Sequence, residues 1–319
     1  MEAKHFEALV DQLSALTKEQ REAIVEAVKT RASATDAISL IDARFATAPQ
    51  CPHCKSKNVG TWSKPKPLTR YMCKACETTF TALTGTPLET LRRRDAWLEY
   101  AQCLADGVSL RKAAKRCGIV LDTAFRWRHR FLQVPKDKKA KALSGMVEVD
   151  ETFILKSQKG ARQIAGRKPR KRGGKASKPG LSDEHQAVLI ARDRTGATTD
   201  AMLEKVDADN VKQHLGGVVQ KETLLISDGE KVYAAFARTY ALMHVWIIAS
   251  KGEHVWQGYH IQNVNAYTSG LKTWMVRFRG VATKYLDSYL GWRRMIDRDG
   301  DDLPAERWLA EAVAQAATG

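Results

Sequence analysis

Nowhere in this chain does an apolar run reach the roughly 18–20 residues that a membrane helix requires, so no membrane partner is expected. Acidic residues are in short supply: 36 Asp and Glu stand against 52 Lys and Arg across 319 residues, leaving a formal net charge of +16. That balance points to a polyanionic partner. The opening residues, MEAKHFEALVDQL, are acidic and amphipathic and make neither a secretory signal nor a transit peptide. A cytosolic setting is the expectation, and thiols there stay reduced. Cysteine is sparse too, six in all, and in that setting the six read as metal ligands or buried thiols rather than disulfides. There is no internal repeat, and the length suffices for two or three domains, each with a core.

Four of the cysteines are paired, Cys51-x-x-Cys54 and Cys73-x-x-Cys76, with 18 residues between the pairs. Four thiolates can close a tetrahedral zinc site, and the short strand-like pieces NVGTWS and RYMCKACETTFTAL have little core to hold them otherwise. A zinc ribbon is predicted over residues 48–86, its Zn²⁺ structural and bound by Cys51, Cys54, Cys73 and Cys76. His53, inside the first knuckle, is a bystander because four sulfurs complete the shell. Cys103 and Cys117 lie in helical apolar patterns and read as core thiols. Residues 1–47, ahead of the ribbon, form a helical region with Thr17 and Gln20 as a capping box.

Residues 87–134 read as three helices, RDAWLEYAQCLADG, SLRKAAKRCG and LDTAFRWRHRFL, stopped at Gly107 and Gly118. The spacing is that of a helix-turn-helix DNA-binding domain: Ala113, Ala114 and Cys117 face inward, Gly118 permits the turn, and Leu121 and Phe125 anchor the third helix. Arg126, Arg128 and Arg130 become candidate DNA contacts, with His129 beside them and Trp127 interleaved, since arginine forks read guanine edges or clamp phosphates. The plainer alternative is a helical linker with a solvated basic face. Pro135 and KDKKAK mark a linker.

From Met146 strands and helices alternate. MVEVDETFIL, QAVLIARD and TGATTDAML are strands, DADNVKQHLGGVV a helix opened by an Asx cap, and TLLISDG a short buried strand. A helix EKVYAAFARTY, a strand MHVWII and three helices follow. This describes an α/β domain over residues 146–297, a mixed sheet flanked by helices, with a C-terminal helix in 298–319. Two acids stand out. Asp150 lies among β-branched strand residues, where a charge is costly without a partner. Asp228 ends a buried strand at the carboxyl edge, where open sheets place ligands. Converging, they would bind Mg²⁺ or Mn²⁺, and paired ions about 4 Å apart can drive an in-line attack on phosphorus. Such a site needs a third ligand and a cation. Asn265 lies 37 residues after Asp228, and Lys272 comes seven further on, two helical turns along the same face. Glu148 shares the strand face of Asp150 and could contribute, Glu151 points the other way by the two-residue period, and Glu253 is a weaker third acid.

Together VEVDET, LISDG and HIQNVNAYTSGLK resemble the three signature blocks of DDE-type insertion-sequence transposases, and most nearly the ISXO-like group, over about residues 48–296. In that group the third acidic position is often Asn, followed seven residues later by Lys. The resemblance implies an RNase H-like catalytic domain, two divalent metal ions, and DNA partners in the form of terminal inverted repeats and target DNA. It also implies strand cleavage and strand transfer by a homodimer or larger assembly in the bacterial cytosol or nucleoid. Carried over by position, Asp150 and Asp228 would hold the metals, Asn265 would fill the third slot, Lys272 would contact phosphate, and His260 would stand behind them. The final stretch ends WRRM where many members have Arg-Tyr-Asn, and no site is carried from it. The alternative is a catalytically inactive, transposase-derived DNA-binding protein, which the uncharged Asn265 favours. A repair nuclease would share the metal site.

Residues 156–180 hold ten Lys and Arg, five Gly and no acid, a composition that cannot fold on its own. Lys168, Arg170, Lys171 and Arg172 are its candidate phosphate contacts. The run DRDGDD at 297–302 reads as a solvated turn.

Overall fold

The computed structural model describes residues 12–314 apart from 13–14, 64–66, 165, 167, 171–173, 178–181, 249–251, 253–254 and 301. Among them no helix is long and apolar enough to cross a membrane. The chain divides into two compact units: Met1–Phe131 with Leu303–Gly319, and Leu132–Asp302.

In the first unit, helix α1 (Lys18–Thr47) opens at the expected capping box. The Gln20 amide donates to Thr17 Oγ1 at 3.2 Å, and the Thr17 amide donates to Gln20 Oε1 at 2.9 Å. Strands β1 (Val59–Ser63), β2 (Arg70–Cys73) and β3 (Thr79–Thr81) pair antiparallel in chain order. The small core they enclose consists of Cys51, Tyr71, Cys73 and Phe80, with Phe45 of α1 packed on it. Helices α2 (Trp97–Ala105), α3 (Leu110–Arg116) and α4 (Leu121–Phe131) follow. Gly107 and Gly118 both stand at positive φ, where a Cβ would be strained, and so end α2 and α3 as expected. The last helix of the chain, Ala305–Ala312, belongs to this unit and packs on α1, α2 and α4.

The second unit starts earlier than the sequence pattern implies. The expected linker at Pro135 is a short helix, α5 (Gln133–Asp137). Beyond it Lys139 is bound in, its Nζ donating to the Asp200 carbonyl at 2.7 Å. Strands β4 (Met146–Leu155), β5 (His185–Asp193) and β6 (Thr198–Leu203) form an antiparallel meander. Helix α6 (Ala208–Leu215) is capped by Asp207, which accepts from the Asn210 amide at 2.9 Å. Strand β7 (Leu224–Ser227), helix α7 (Lys231–Thr239), strand β8 (Met243–Trp246), and helices α8 (Gln262–Val276), α9 (Leu286–Asp299) and α10 (the terminal helix above) complete the chain. The sheet order is β6-β5-β4-β7-β8, with β7 and β8 parallel to β4. A meander followed by strands added parallel on the far side of the first is the RNase H-like arrangement.

Alternation along β4 sorts its side chains between two layers. Val147 and Val149 are fully buried with Leu189, Leu203, Val211, Leu225, Tyr233 and Phe236, a core that includes residues of α6 and α7. Glu148 and Asp150 take the other face, which α8 covers. There Trp274 and Phe278 form an aromatic cluster with Tyr289 and Trp292 of α9.

Candidate active site and nucleic-acid interface

The two expected aspartates are brought together by strand register. Strands β4 and β7 pair as Met146↔Leu224, Val147↔Leu225 and Glu148↔Ile226, and there the pairing stops. Continued two residues, the same register sets Asp150 opposite Asp228, at the point where β7 turns away. Gly229 makes that turn at φ +94°, a conformation strained for any residue with a Cβ. Carboxylate oxygens of Asp150, Glu151 and Asp228 all lie within 4.8 Å of one another.

Glu151 was expected to face away, and here the structure corrects the sequence reading. It does leave from the opposite face, the side on which α7 carries Tyr233. The end of β7 leaves a notch open to both faces, so its longer side chain reaches the same cluster. Burial, with Asp228 adding to it, pushes the Asp150 carboxyl up to about 6, while Lys272 opposes the shift. Burial pushes Glu151 up to about 7, with Asp228 and Asp150 adding to it. Glu151 Oε1 is buried, and the Tyr233 hydroxyl of α7 beside the carboxylate opposes the rise. Three mutually repelling carboxylates with their oxygens drawn together are the donor set that a hard divalent cation fits.

Helix α8 carries the other two candidates. Asn265 lies in its first turn and Lys272 two turns on, both exposed, and the charge of Lys272 acts on Asp150. Glu148 is no member of the acid cluster. It is fully buried and accepts from the Asn263 side-chain amide and the Val264 backbone amide, each at 2.9 Å. His260 stands against the same carboxylate at 3.5 Å. Glu253 falls outside the described residues.

In the ribbon the four cysteine sulfurs likewise converge, with Cys51 and Cys76 at 3.6 Å and Cys54 and Cys73 at 3.5 Å. A tetrahedron of Zn–S bonds near 2.3 Å has edges of about 3.8 Å, so the cage fits zinc. The two knuckles are near copies. The Lys55 amide donates to the Cys51 carbonyl at 3.0 Å, and the Glu77 amide to the Cys73 carbonyl at 2.9 Å. Lys55 and Glu77 both take positive φ, the bend that points successive sulfurs inward. The Thr78 hydroxyl and amide hold the Cys76 thiol down at about 6. The His53 ring faces Phe80 edge-on at 6.4 Å, consistent with its reading as a bystander.

The third helix of the helix-turn-helix departs from expectation by one position around its axis. Leu121 is 46% exposed, and Phe125 is only half-buried. The buried stripe is Ala124, Trp127, Arg128 and Phe131. That stripe follows the i, i+3, i+4, i+7 period of a helix face, with an arginine included in it. Arg128 is 1% exposed and donates to the Val108 carbonyl at 2.8 Å, so it is withdrawn as a DNA contact. Trp127 packs edge-on against Tyr100. Arg126, paired with Asp122 at 2.8 Å, and Arg130 are the exposed arginines of α4. Cys103 and Cys117 are buried, 3.9 Å apart, as core thiols.

In the basic insertion Lys168 is exposed, whereas Arg170 turns inward. Arg170 donates to the Lys156 carbonyl at 2.7 Å and to Glu184 at 2.8 Å, and it holds the Glu184 carboxyl down at about 2. Arg170 is thus a strut of the loop and not a free phosphate contact. Lys171 and Arg172 lie outside the described residues. At the far end, Asp297 is no solvated turn residue, since it pairs with Arg192. Arg294, in the WRRM stretch, is buried against Asp200.

Residues 142–293 match the family model described as the ISXO2-like transposase domain, and residues 91–135 match that of a homeodomain-like domain. An uncharacterized protein in transposable element ISH50 of Halobacterium salinarum is 25% identical over 275 residues, 82% of this chain and 90% of its own. Among solved structures, the Mos1 strand transfer complex aligns over 70% of this chain and 78% of its own, at 13% identity and a TM-score of 0.30. The simian T-cell lymphotropic virus intasome in complex with PP2A regulatory subunit B56 gamma aligns over 60% of this chain and 66% of its own, at 10% identity and a TM-score of 0.29.

Proposed function

We propose that the chain is an insertion-sequence transposase of the ISXO2-like group, which binds the terminal inverted repeats of its element, cuts there, and joins the freed 3′ end to target DNA; the match of residues 142–293 to the ISXO2-like transposase domain and of 91–135 to a homeodomain-like domain supports this. The observation that carries the enzymatic reading is the meeting of Asp150, Glu151 and Asp228 in the notch beyond β7, under the charge of Lys272. Bound there, a pair of divalent ions, Mg²⁺ or Mn²⁺, would supply activation of the attacking oxygen and stabilisation of the leaving one.

The protein's own part follows from the residues. Asp150 and Asp228 grip the cation site from neighbouring strands. Asn265 offers a neutral carboxamide oxygen in the third slot, and Glu151 supplies the negative charge that an amide lacks. Lys272 holds the phosphodiester and offsets its charge. Arg126 and Arg130 contact the repeat, while Lys168 and the rest of the basic insertion neutralise phosphates. Zinc on Cys51, Cys54, Cys73 and Cys76 is structural. Two ends must be joined, so the working form is a dimer or larger, acting on DNA in the bacterial cytosol or nucleoid. An inactive DNA-binding derivative drew its support from Asn265, and that support weakens with a third carboxylate in the cluster.

The test is nicking of DNA carrying the element's end with Mg²⁺ or Mn²⁺. Asp150→Ala and Asp228→Ala are expected to lose at least about 100-fold in rate while binding the same DNA, the scale on which electrostatic transition-state stabilisation is felt. Parent-like nicking by Asp150→Ala would remove this active site.

A further inference from the structure

Helix α8 bears Asn265 and Lys272, yet it has no side-chain cap of its own: its N-cap position is Ile261. Of its first-turn amides, that of Gln262 donates to the neighbouring His260 Nδ1 at 3.2 Å, and that of Val264 is met from outside the helix. Glu148, on β4 two residues before Asp150, takes the Val264 amide on Oε2 and the Asn263 side chain on Oε1, both at 2.9 Å. The same carboxylate is fully buried and neutralised by Arg194 Nη2 at 3.1 Å, and His260 Nε2 lies 2.9 Å from the other terminal nitrogen of Arg194. The far end of the helix is held in a matching way. Lys159, just beyond β4, donates from Nζ to the carbonyls of Phe278, Arg279 and Gly280 at 3.0, 3.3 and 2.8 Å. The chain there is pinned a second time, the Thr283 amide donating to the Ser157 carbonyl and the Ser157 amide to Thr283 Oγ1, each at 2.9 Å.

A negative group thus sits at the positive end of α8, a positive group sits beyond its negative end, and both come from one stretch of chain that carries Asp150 between them. We propose that Glu148 and Lys159 are positioning residues, a two-ended clamp that fixes the register of α8 along β4 and so holds Asn265 and Lys272 against the Asp150–Asp228 pair. The inference rests on the active site proposed above. It goes further by assigning Glu148 a task that its neighbourhood to Asp150 conceals: it orients a helix and touches neither cation nor DNA. A buried carboxylate on the strand of a metal-binding acid reads as a spare ligand until its lone pairs are counted. Here three of the roughly four are already taken, by Asn263 and Arg194 on Oε1 and by the Val264 amide on Oε2.

Two readouts test the clamp in the full-length protein. The first is hydrogen exchange of the Val264 and Asn265 amides without added divalent metal, which is independent of any activity. Glu148→Ala is expected to speed exchange in this turn at least about tenfold. Glu148→Gln keeps one acceptor oxygen and should recover part of the protection, and it serves as the second variant should the alanine protein fold poorly. Lys159→Met should loosen the 276–280 end instead. The second readout is Mn²⁺-dependent nicking. Glu148→Ala should raise the half-saturating Mn²⁺ concentration and lower the saturated rate, together about 10–100-fold, the usual effect of losing a group that orients metal ligands. Binding to end DNA should be unchanged. Unaltered exchange at Val264 in both Glu148 variants would overturn the clamp. So would an unaltered Mn²⁺ requirement in a Glu148→Ala protein that nicks like its parent. If Asp150→Ala still nicks, the active-site reading fails instead, and the exchange result still decides whether α8 is clamped.

Discussion

At the scale of single residues, the acid cluster ties protonation to metal binding. Asp150 and Glu151 hold protons more tightly in the fold than in an unfolded chain, with carboxyls raised to about 6 and about 7. Without metal, the stability linked to these groups is complete below the ordinary carboxylate range near 4 and is lost as pH rises through about 6 to 7. A cation competes with those protons and reverses the trend. Millimolar Mg²⁺ or Mn²⁺ should therefore raise the melting temperature at pH 8 and have little effect at pH 5. Scanning calorimetry at the two pH values measures this, and an equal rise at both would argue against these ligands. The residue most responsible, Glu151, was hidden from sequence reasoning by a rule that is sound elsewhere. Alternation does place it on the far face, but the early end of β7 lets both faces open on one notch. Asp150 and Asp228 were legible because one sits among β-branched strand residues and the other closes a buried apolar strand.

At the scale of elements, local chemistry explains most of what could be read in advance and also where reading stopped. The capping box of α1, the Asx cap of α6 and the glycine stops of α2 and α3 are set by neighbours in sequence, and each forms as read. Arg128 shows the limit of reading charge ahead of helical period, since the buried stripe through Ala124, Trp127 and Phe131 runs through it. The clamp on α8 could not be read at all, since it depends on residues 116 positions apart meeting. The ribbon belongs to this scale too. Its core amounts to Tyr71 and Phe80 around two cysteines, with Phe45 alongside, too little to order three short strands without a metal. Chelation by a strong zinc ligand should unfold it. Limited proteolysis should then cut within residues 48–86 while 146–297 resists, and continued protection of the ribbon after metal loss would refute a structural zinc.

At the scale of the whole molecule, the second unit is inserted between two pieces of the first. Helix α10 follows it in sequence, yet its Trp308 and Leu309 are buried in the unit that holds the helix-turn-helix. Ending the chain before Ala305 should therefore weaken binding to end DNA at least about tenfold, because removing those two side chains bares the apolar surface of α1 and α2 that they cover, at a cost of several kcal/mol. Metal-dependent stabilisation of the second unit should persist. Gel-shift titration and calorimetry on the shortened protein separate the two effects, and undiminished DNA affinity would argue against this role for α10. For a mobile element the outcome is lopsided. A nonsense mutation near the end of its gene would spare the blade and spoil the address, leaving a cutter that no longer finds the borders of its own element.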